Sequence, residues 1–123
     1  MKKKFIVKRN REFNEIINSK HSTSNSCFIV YYNKAKEEYS RFGISVGKKI
    51  GNAVTRNRIK RQLKSIIDKK DYQKGFNCII MVRRSILDRS YSEMENNLYQ
   101  IFDKLDVIKK GENIWKIKKY KFF

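Results

Sequence analysis

Residues Arg41 to Lys64 read RFGISVGKKIGNAVTRNRIKRQLK. At the start of this stretch Phe42, Ile44 and Val46 alternate with Gly43, Ser45 and Gly47, the period of a strand with one apolar face and one face nearly without side chains. The bare face suits close approach by another element. Asn52, after Gly51, can cap a helix, and Ile59, Leu63, Ile66 and Ile67 recur at helical spacing, so a helix is predicted from near Asn52 to about Lys69. Such a stripe must dock on a sheet, which places the chain in the α+β class as a two-layer α/β sandwich.

The same stretch is distinctive in charge. No acidic residue lies between Tyr39 and Ile67, while Arg41, Lys48, Lys49, Arg56, Arg58, Lys60, Arg61 and Lys64 supply eight positive groups. On the helix, Arg56, Lys60 and Lys64 line up at i, i+4 and i+8, flanked by Arg58 and Arg61, and the apolar stripe stays free for the core. A charge run is ordinarily a solvated helix face. Here, like charges at i, i+4 oppose the helix by a few tenths of a kcal/mol (about 0.2–0.5) per pair with nothing acidic to offset them, which points to an external anion. Arginine suits bidentate phosphate contacts, and Asn57 adds a donor and an acceptor for a base edge or a 2′-OH.

Whole-chain arithmetic agrees. The chain has 123 residues and carries 30 Lys plus Arg against 12 Asp plus Glu, a net charge of +18. With 40% hydrophobic and 13% aromatic residues it can build a core, so the charge belongs to a folded domain, and residues 1–123 are read as one RNA-binding domain. Nucleic acid is the leading partner and an anionic membrane surface the second. No apolar run reaches the roughly 18 residues of a spanning helix, and the Met1 to Arg9 segment lacks a signal-peptide core, so a cytoplasmic location is expected. Cys27 and Cys78 stand apart in apolar surroundings without metal-site spacing and are expected to be plain buried thiols.

Outward from the opening stretch, Phe13, Ile16 and Ile17 predict a short first helix following Asn10 as its cap and ending near Ser19. His21 to Ser26 reads as a polar loop, Cys27 to Tyr32 as a strand, and Asn33 to Glu38 as a turn. Phe76 to Val82, apolar apart from Asn77, suits a strand buried on both faces. Met94, Leu98, Ile101, Phe102, Leu105 and Ile108 mark a last helix, with Ser90/Glu93 or Ser92/Glu95 as its capping box. The order is α-β-β-α-β-α, followed by a basic aromatic tail, residues 111–123, to which the pattern assigns no structure. Packing at the domain edge and a further RNA contact are both open for that tail.

Aromatic residues offer a second clue. Phe13, Phe28, Tyr31 and Tyr32 could line a groove where unpaired bases stack, although aromatics in a small sheet protein are more often core, and one strand cannot aim all of them at one face.

The block Lys48, Lys49, Ile50, Gly51, Asn52, Ala53, then Arg56, Asn57, Arg58, Ile59, Lys60 and Arg61, resembles the "RNR" helix of the protein subunit of bacterial ribonuclease P. The resemblance spans roughly residues 8 to 108. It implies a fold like a domain of a small-subunit ribosomal protein, with a left-handed β-α-β crossover through that helix, against the usual right-handed rule. It implies that a catalytic RNA subunit, with Mg²⁺ bound mainly by RNA, removes the 5′ leader of precursor tRNA while the protein binds both RNAs. On the matching positions, Lys48, Lys49, Arg56, Asn57, Arg58, Lys60, Arg61 and Lys64 would contact the RNA subunit or lie near the cleavage site. Phe13, Ile17, Tyr31 and Arg84 would line a cleft for the single-stranded leader, with Ile17 standing where many members carry a second aromatic.

The residues themselves argue against catalysis by the protein. The twelve carboxylates are scattered along the chain and His21 is the only histidine, so neither a two-metal nuclease nor a paired-histidine nuclease is expected, and no metal is expected on protein side chains alone. No protein partner is implied. The alternative is a structural RNA-binding protein of ribosomal type, which only the RNR block disfavours. A helix-turn-helix DNA binder lacks its paired short helices.

Overall fold

The structure, a computed structural model, describes residues 6–7, 10–19, 21–35 and 38–109. The elements are α1 (Asn10–Asn18), β1 (Ser22–Ser24), β2 (Phe28–Lys34), β3 (Arg41–Ser45), α2 (Ala53–Asp68), β4 (Phe76–Val82) and α3 (Tyr91–Leu105). The sheet runs β1-β2-β4-β3, antiparallel at β1/β2 and β2/β4 and parallel at β3/β4. α2 joins the two parallel neighbours, giving the β-α-β unit that the resemblance implies. No helix among the described residues is long and apolar enough to cross a membrane.

One sheet face carries the main core. Phe28, Val30, Phe42, Cys78 and Ile80 meet Ile59, Leu63, Ile66 and Ile67 of α2 and Met94, Leu98, Ile101 and Phe102 of α3, all buried. Burying each large aliphatic or aromatic side chain contributes about 1.5–3 kcal/mol, so this layer fixes how α2 is rotated. α1 packs on the opposite face through a smaller cluster of Val7, Ile16 and Ile79, joined by Phe13, Tyr31 and Met81. β4, between β2 and β3, is buried from Phe76 to Ile80, as its apolar run predicts.

Caps follow the sequence closely. The Asn52 side chain accepts a 2.9 Å hydrogen bond from the Thr55 amide, and α2 ends at Asp68. At α3 the capping box is the Ser90/Glu93 pair, with Ser90 Oγ accepting from the Glu93 amide at 3.1 Å and Glu93 Oε1 accepting from the Ser90 amide at 2.9 Å.

Several expectations need correction. The polar stretch His21 to Ser26 contains a strand, β1, which pairs Thr23 with Val30 at a sheet edge, where polar side chains are tolerated because one side meets solvent. The loop that remains is an Asn turn: Asn25 Oδ1 accepts from the Cys27 and Phe28 amides, both at 3.0 Å, and Asn25 Nδ2 donates to the Asn97 carbonyl. β2 starts one residue later than the expected strand and ends two residues later, because Asn33 and Lys34 pair with Asn77 and Phe76. α1 begins at Asn10 itself, the residue expected to precede it. Ile108 is not helical: α3 stops at Leu105, Asp106 turns left-handed (φ 55°), and Ile108 bridges to Tyr72. Short 3-10 turns at Lys48–Ile50 and Arg84–Asp88 carry no periodic signal that would reveal them. The tail, 111–123, lies outside the described residues.

Both cysteines are fully buried and free, and burial pushes the Cys78 thiol well above its ordinary range. A thiol reagent should therefore label neither residue in the native protein and both after denaturation; rapid labelling of the native protein would contradict this packing.

Candidate nucleic-acid interface

The interface begins where β3 ends. The backbone turns through Lys48–Ile50, and burial of Ile50 leaves Lys48 and Lys49 exposed. Arg56, from the first turn of α2, donates from Nε to the Gly51 carbonyl at 3.1 Å, fastening the turn to the helix. Among the described residues its terminal guanidinium nitrogens have no protein hydrogen-bond partner. The turn and the helix thus present cations without an intervening carboxylate.

Rotation of α2 sorts the rest. With Ile59, Leu63, Ile66 and Ile67 inside, Asn57, Arg58 and Arg61 are exposed on the side away from the core. Arg56, Lys60 and Lys64 form a flank that turns toward β3 and α1. There Lys60 lines a hollow of about 420 Å³ together with Phe13, Asn14, Ile17, Ile44, Ser45 and Val46. A second, of about 220 Å³, lies between Lys60, Lys64, Phe13, Ile44 and the Ile6–Val7 segment. Two groups of residues that are separate in sequence, the first-helix pair and the basic helix, therefore share one surface.

The first-helix side is built on the bare face of β3. Three rows of residues cross the sheet beneath α1 in register: Asn33, Asn77 and Arg41; Tyr31, Ile79 and Gly43; Ile29, Met81 and Ser45. In the middle row Gly43 is the seat of Phe13. A Cβ at that position would lie 2.7 Å from Phe13 Cζ and 2.7 Å from Ile79 Cδ1, closer than packed carbons approach. The close approach expected from the glycine pattern is that of the Phe13 ring, and Tyr31 joins the same cluster from β2. Alternation along β2 places Phe28 in the main core, and packs Tyr32 against that core as well, with its ring also beside His21 at a 5.7 Å centroid separation. Neither belongs to the groove.

Two residues sit differently from their neighbours in sequence. Arg41, counted above among the eight cations of the acid-free stretch, turns inward instead: Nη2 pairs with Glu12 Oε2 at 2.5 Å, Nε donates to Asn77 Oδ1 at 3.2 Å, and 14% of its side chain is exposed. Arg84 is exposed on the 3-10 turn after β4, at the end of the sheet where the Lys48–Ile50 turn also lies, and does not line the hollow beside Phe13. Sequence reading missed Asn14, Ser45 and Val46 as lining residues. It also missed the polar row, whose only trace was Asn77 interrupting an apolar run.

Among the described residues no three His, Cys, Asp or Glu side chains gather as a metal site. A larger hollow, about 600 Å³, lies at the other end of the sheet between Tyr32, Phe76, Leu105 and Val107, away from the basic stretch.

Comparison with known proteins matches this geometry. Residues 1–106 match the family model for ribonuclease P. The chain is 43% identical over 108 residues to the ribonuclease P protein component of Mycoplasma capricolum, covering 85% of this chain and 99% of that protein. It is 37% identical over 112 residues to that of Streptococcus pyogenes, covering 90% and 94%. The solved RNase P protein of Staphylococcus aureus superposes with a TM-score of 0.78 at 31% identity, covering 85% of this chain and 98% of that one. With a family match across most of its length, the acid-free RNR helix and the cleft beneath α1, the chain belongs to the bacterial ribonuclease P protein family, as a protein component of that ribonucleoprotein.

Proposed function

We propose that the chain binds the catalytic RNA subunit through the exposed side of α2 and the Lys48–Ile50 turn, and holds the 5′ leader of precursor tRNA in the cleft between α1 and the sheet. The observation that carries this reading is the shared hollow of Phe13, Ile17 and Lys60, which sets an aromatic ring and a cation side by side, the pairing a single strand requires. Lys48, Lys49, Asn57, Arg58 and Arg61 serve phosphates of the RNA subunit; Arg56, Lys60 and Lys64 border both RNAs; Arg84 meets the strand where it leaves the cleft. Stacking contributes about 1–3 kcal/mol per base, and with Ile17 aliphatic it rests on Phe13 and Tyr31.

Cleavage of the leader is assigned to the RNA. His21 lies beside Tyr32 with no second histidine in the chain, and Glu12 is engaged by Arg41, so among the described residues no acid-base pair faces the cleft. The carboxylates of the described residues do not fit a Mg²⁺ ligand set, and the ligands of that ion would come from RNA oxygens. The protein's own work is to position the substrate and offset phosphate repulsion, in the cytoplasm where both RNAs are met.

Reconstitution with a bacterial P RNA at low Mg²⁺ tests the reading directly. Addition of the protein should raise cleavage of precursor tRNA at the mature 5′ end, and the protein alone should cleave nothing; sedimentation with ribosomal subunits and no stimulation would favour the ribosomal-type alternative. Arg58→Ala and Arg61→Ala should each weaken assembly with the RNA subunit and lower the salt slope by about one phosphate contact, measured by titration between 50 and 200 mM salt. Phe13→Ala should reduce affinity for leader-bearing substrate and leave mature tRNA unaffected; equal losses for the two would count against the cleft.

A further inference from the structure

The polar row beneath α1 is the one feature of this face that neither RNA-binding role uses. Asn33 Oδ1 accepts from Asn77 Nδ2 at 3.2 Å, Asn77 Oδ1 accepts from Arg41 Nε at 3.2 Å, and Arg41 Nη2 reaches Glu12 Oε2 at 2.5 Å. The chain of contacts thus crosses three strands, β2, β4 and β3, and ends on α1, one residue before Phe13. Its middle member, Asn77, is 6% exposed, and Arg41 has its Nε and Nη2 bound to protein atoms. A guanidinium so held is a tie between elements.

From this placement we infer that Arg41 and Glu12 are positioning residues for the leader cleft: they fix α1 at the height and rotation that set the Phe13 ring on Gly43, and Arg41 makes no phosphate contact. The apolar cluster under α1 is small, so it leaves the helix free to roll or slide; among the described residues Ile16 is its one buried side chain from α1. The row supplies the missing direction. A charge-assisted bond anchored on two asparagines tolerates little displacement, because moving α1 would strand a half-buried carboxylate and a mostly buried guanidinium. Gly43 sets the limit from below, since the ring already touches the strand backbone's bare face. Anchor and seat together define one ring position, and the row beyond it, Ile29, Met81 and Ser45, is the floor over which the strand passes.

This inference rests on the leader-cleft reading, and the experiment separates their failures. Arg41→Lys, Arg41→Met and Glu12→Gln would be reconstituted with P RNA and compared with Phe13→Ala for affinity toward leader-bearing and mature tRNA. The two Arg41 variants and Glu12→Gln should each lose leader affinity by about 3- to 10-fold and leave mature tRNA unchanged, and each, combined with Phe13→Ala, should add no more than about twofold. The salt slope of assembly should stay at the wild-type value. In the free protein, the resonance of the Ile79 δ1 methyl, which shares the space above Gly43 with the Phe13 ring, should move toward its position in Phe13→Ala.

An Ile79 methyl that stays in place, a salt slope lowered by about one contact, or losses fully additive with Phe13→Ala would each overturn the positioning role. Should the Arg41 variants fail to fold, Glu12→Gln, which keeps the side-chain shape, decides by the same readouts. If Phe13→Ala itself leaves leader affinity unchanged, the cleft reading fails, and the methyl shift still reports whether the tie holds the ring.

Discussion

Everything on the basic side of this protein depends on how α2 is rotated, and that rotation is set by four apolar side chains. Ile59, Leu63, Ile66 and Ile67 are buried against the sheet and α3. Once they are inside, helical geometry leaves no freedom to the others: Asn57, Arg58 and Arg61 must be exposed, and Arg56, Lys60 and Lys64 must flank the β3 edge. The hydrophobic effect thus arranges the cations, although it acts on none of them. The arrangement carries a cost in self-repulsion along an acid-free helix, and a polyanion removes it.

The opposite face follows a different rule. There α1 meets a small apolar cluster around Ile16 and Ile79, the bare strand face at Gly43 and one polar row. Gly43 removes the side chain that would block Phe13, and the Glu12–Arg41–Asn77–Asn33 row links three strands to the helix carrying that ring. A thinly packed helix beside a firmly packed sheet is a reasonable design for a cleft. The floor stays rigid while the wall remains thin enough to leave Phe13 and Ile17 partly exposed.

The two faces meet at β3. Its apolar side chains enter the core under α2, its bare face receives Phe13, and its C-terminal end turns into the Lys48–Ile50 segment that presents two lysines. One short strand at the edge of the sheet consequently joins the basic helix α2 to the cleft beneath α1. That is why the hollow beside Phe13 also contains Lys60, although 47 positions separate them in the chain.

Much of this was legible in the residues. Period-two alternation located β3, apolar runs located β4 and most of β2, helical spacing located α2 and most of α3, and the Asn52 and Ser90 caps were readable because capping is a local interaction between a side chain and amides three residues on. The RNR block pointed to the family, and the acid-free run to a polyanion. Edge strand β1 and the exit of Ile108 from the last helix were not legible, since each is decided by pairing with a distant segment, and the 3-10 turns left no periodic signal. Arg41 is the clearest case: in sequence it is one more cation of the run, and only the register of β3 against β4, with α1 laid across them, turns it onto Asn77 and Glu12. Local spacing determined the elements, the charge and the family of this protein. Tertiary structure alone decided which cations are exposed and which are paired within the fold, because a side chain's partner depends on the register and rotation of elements far apart in the chain.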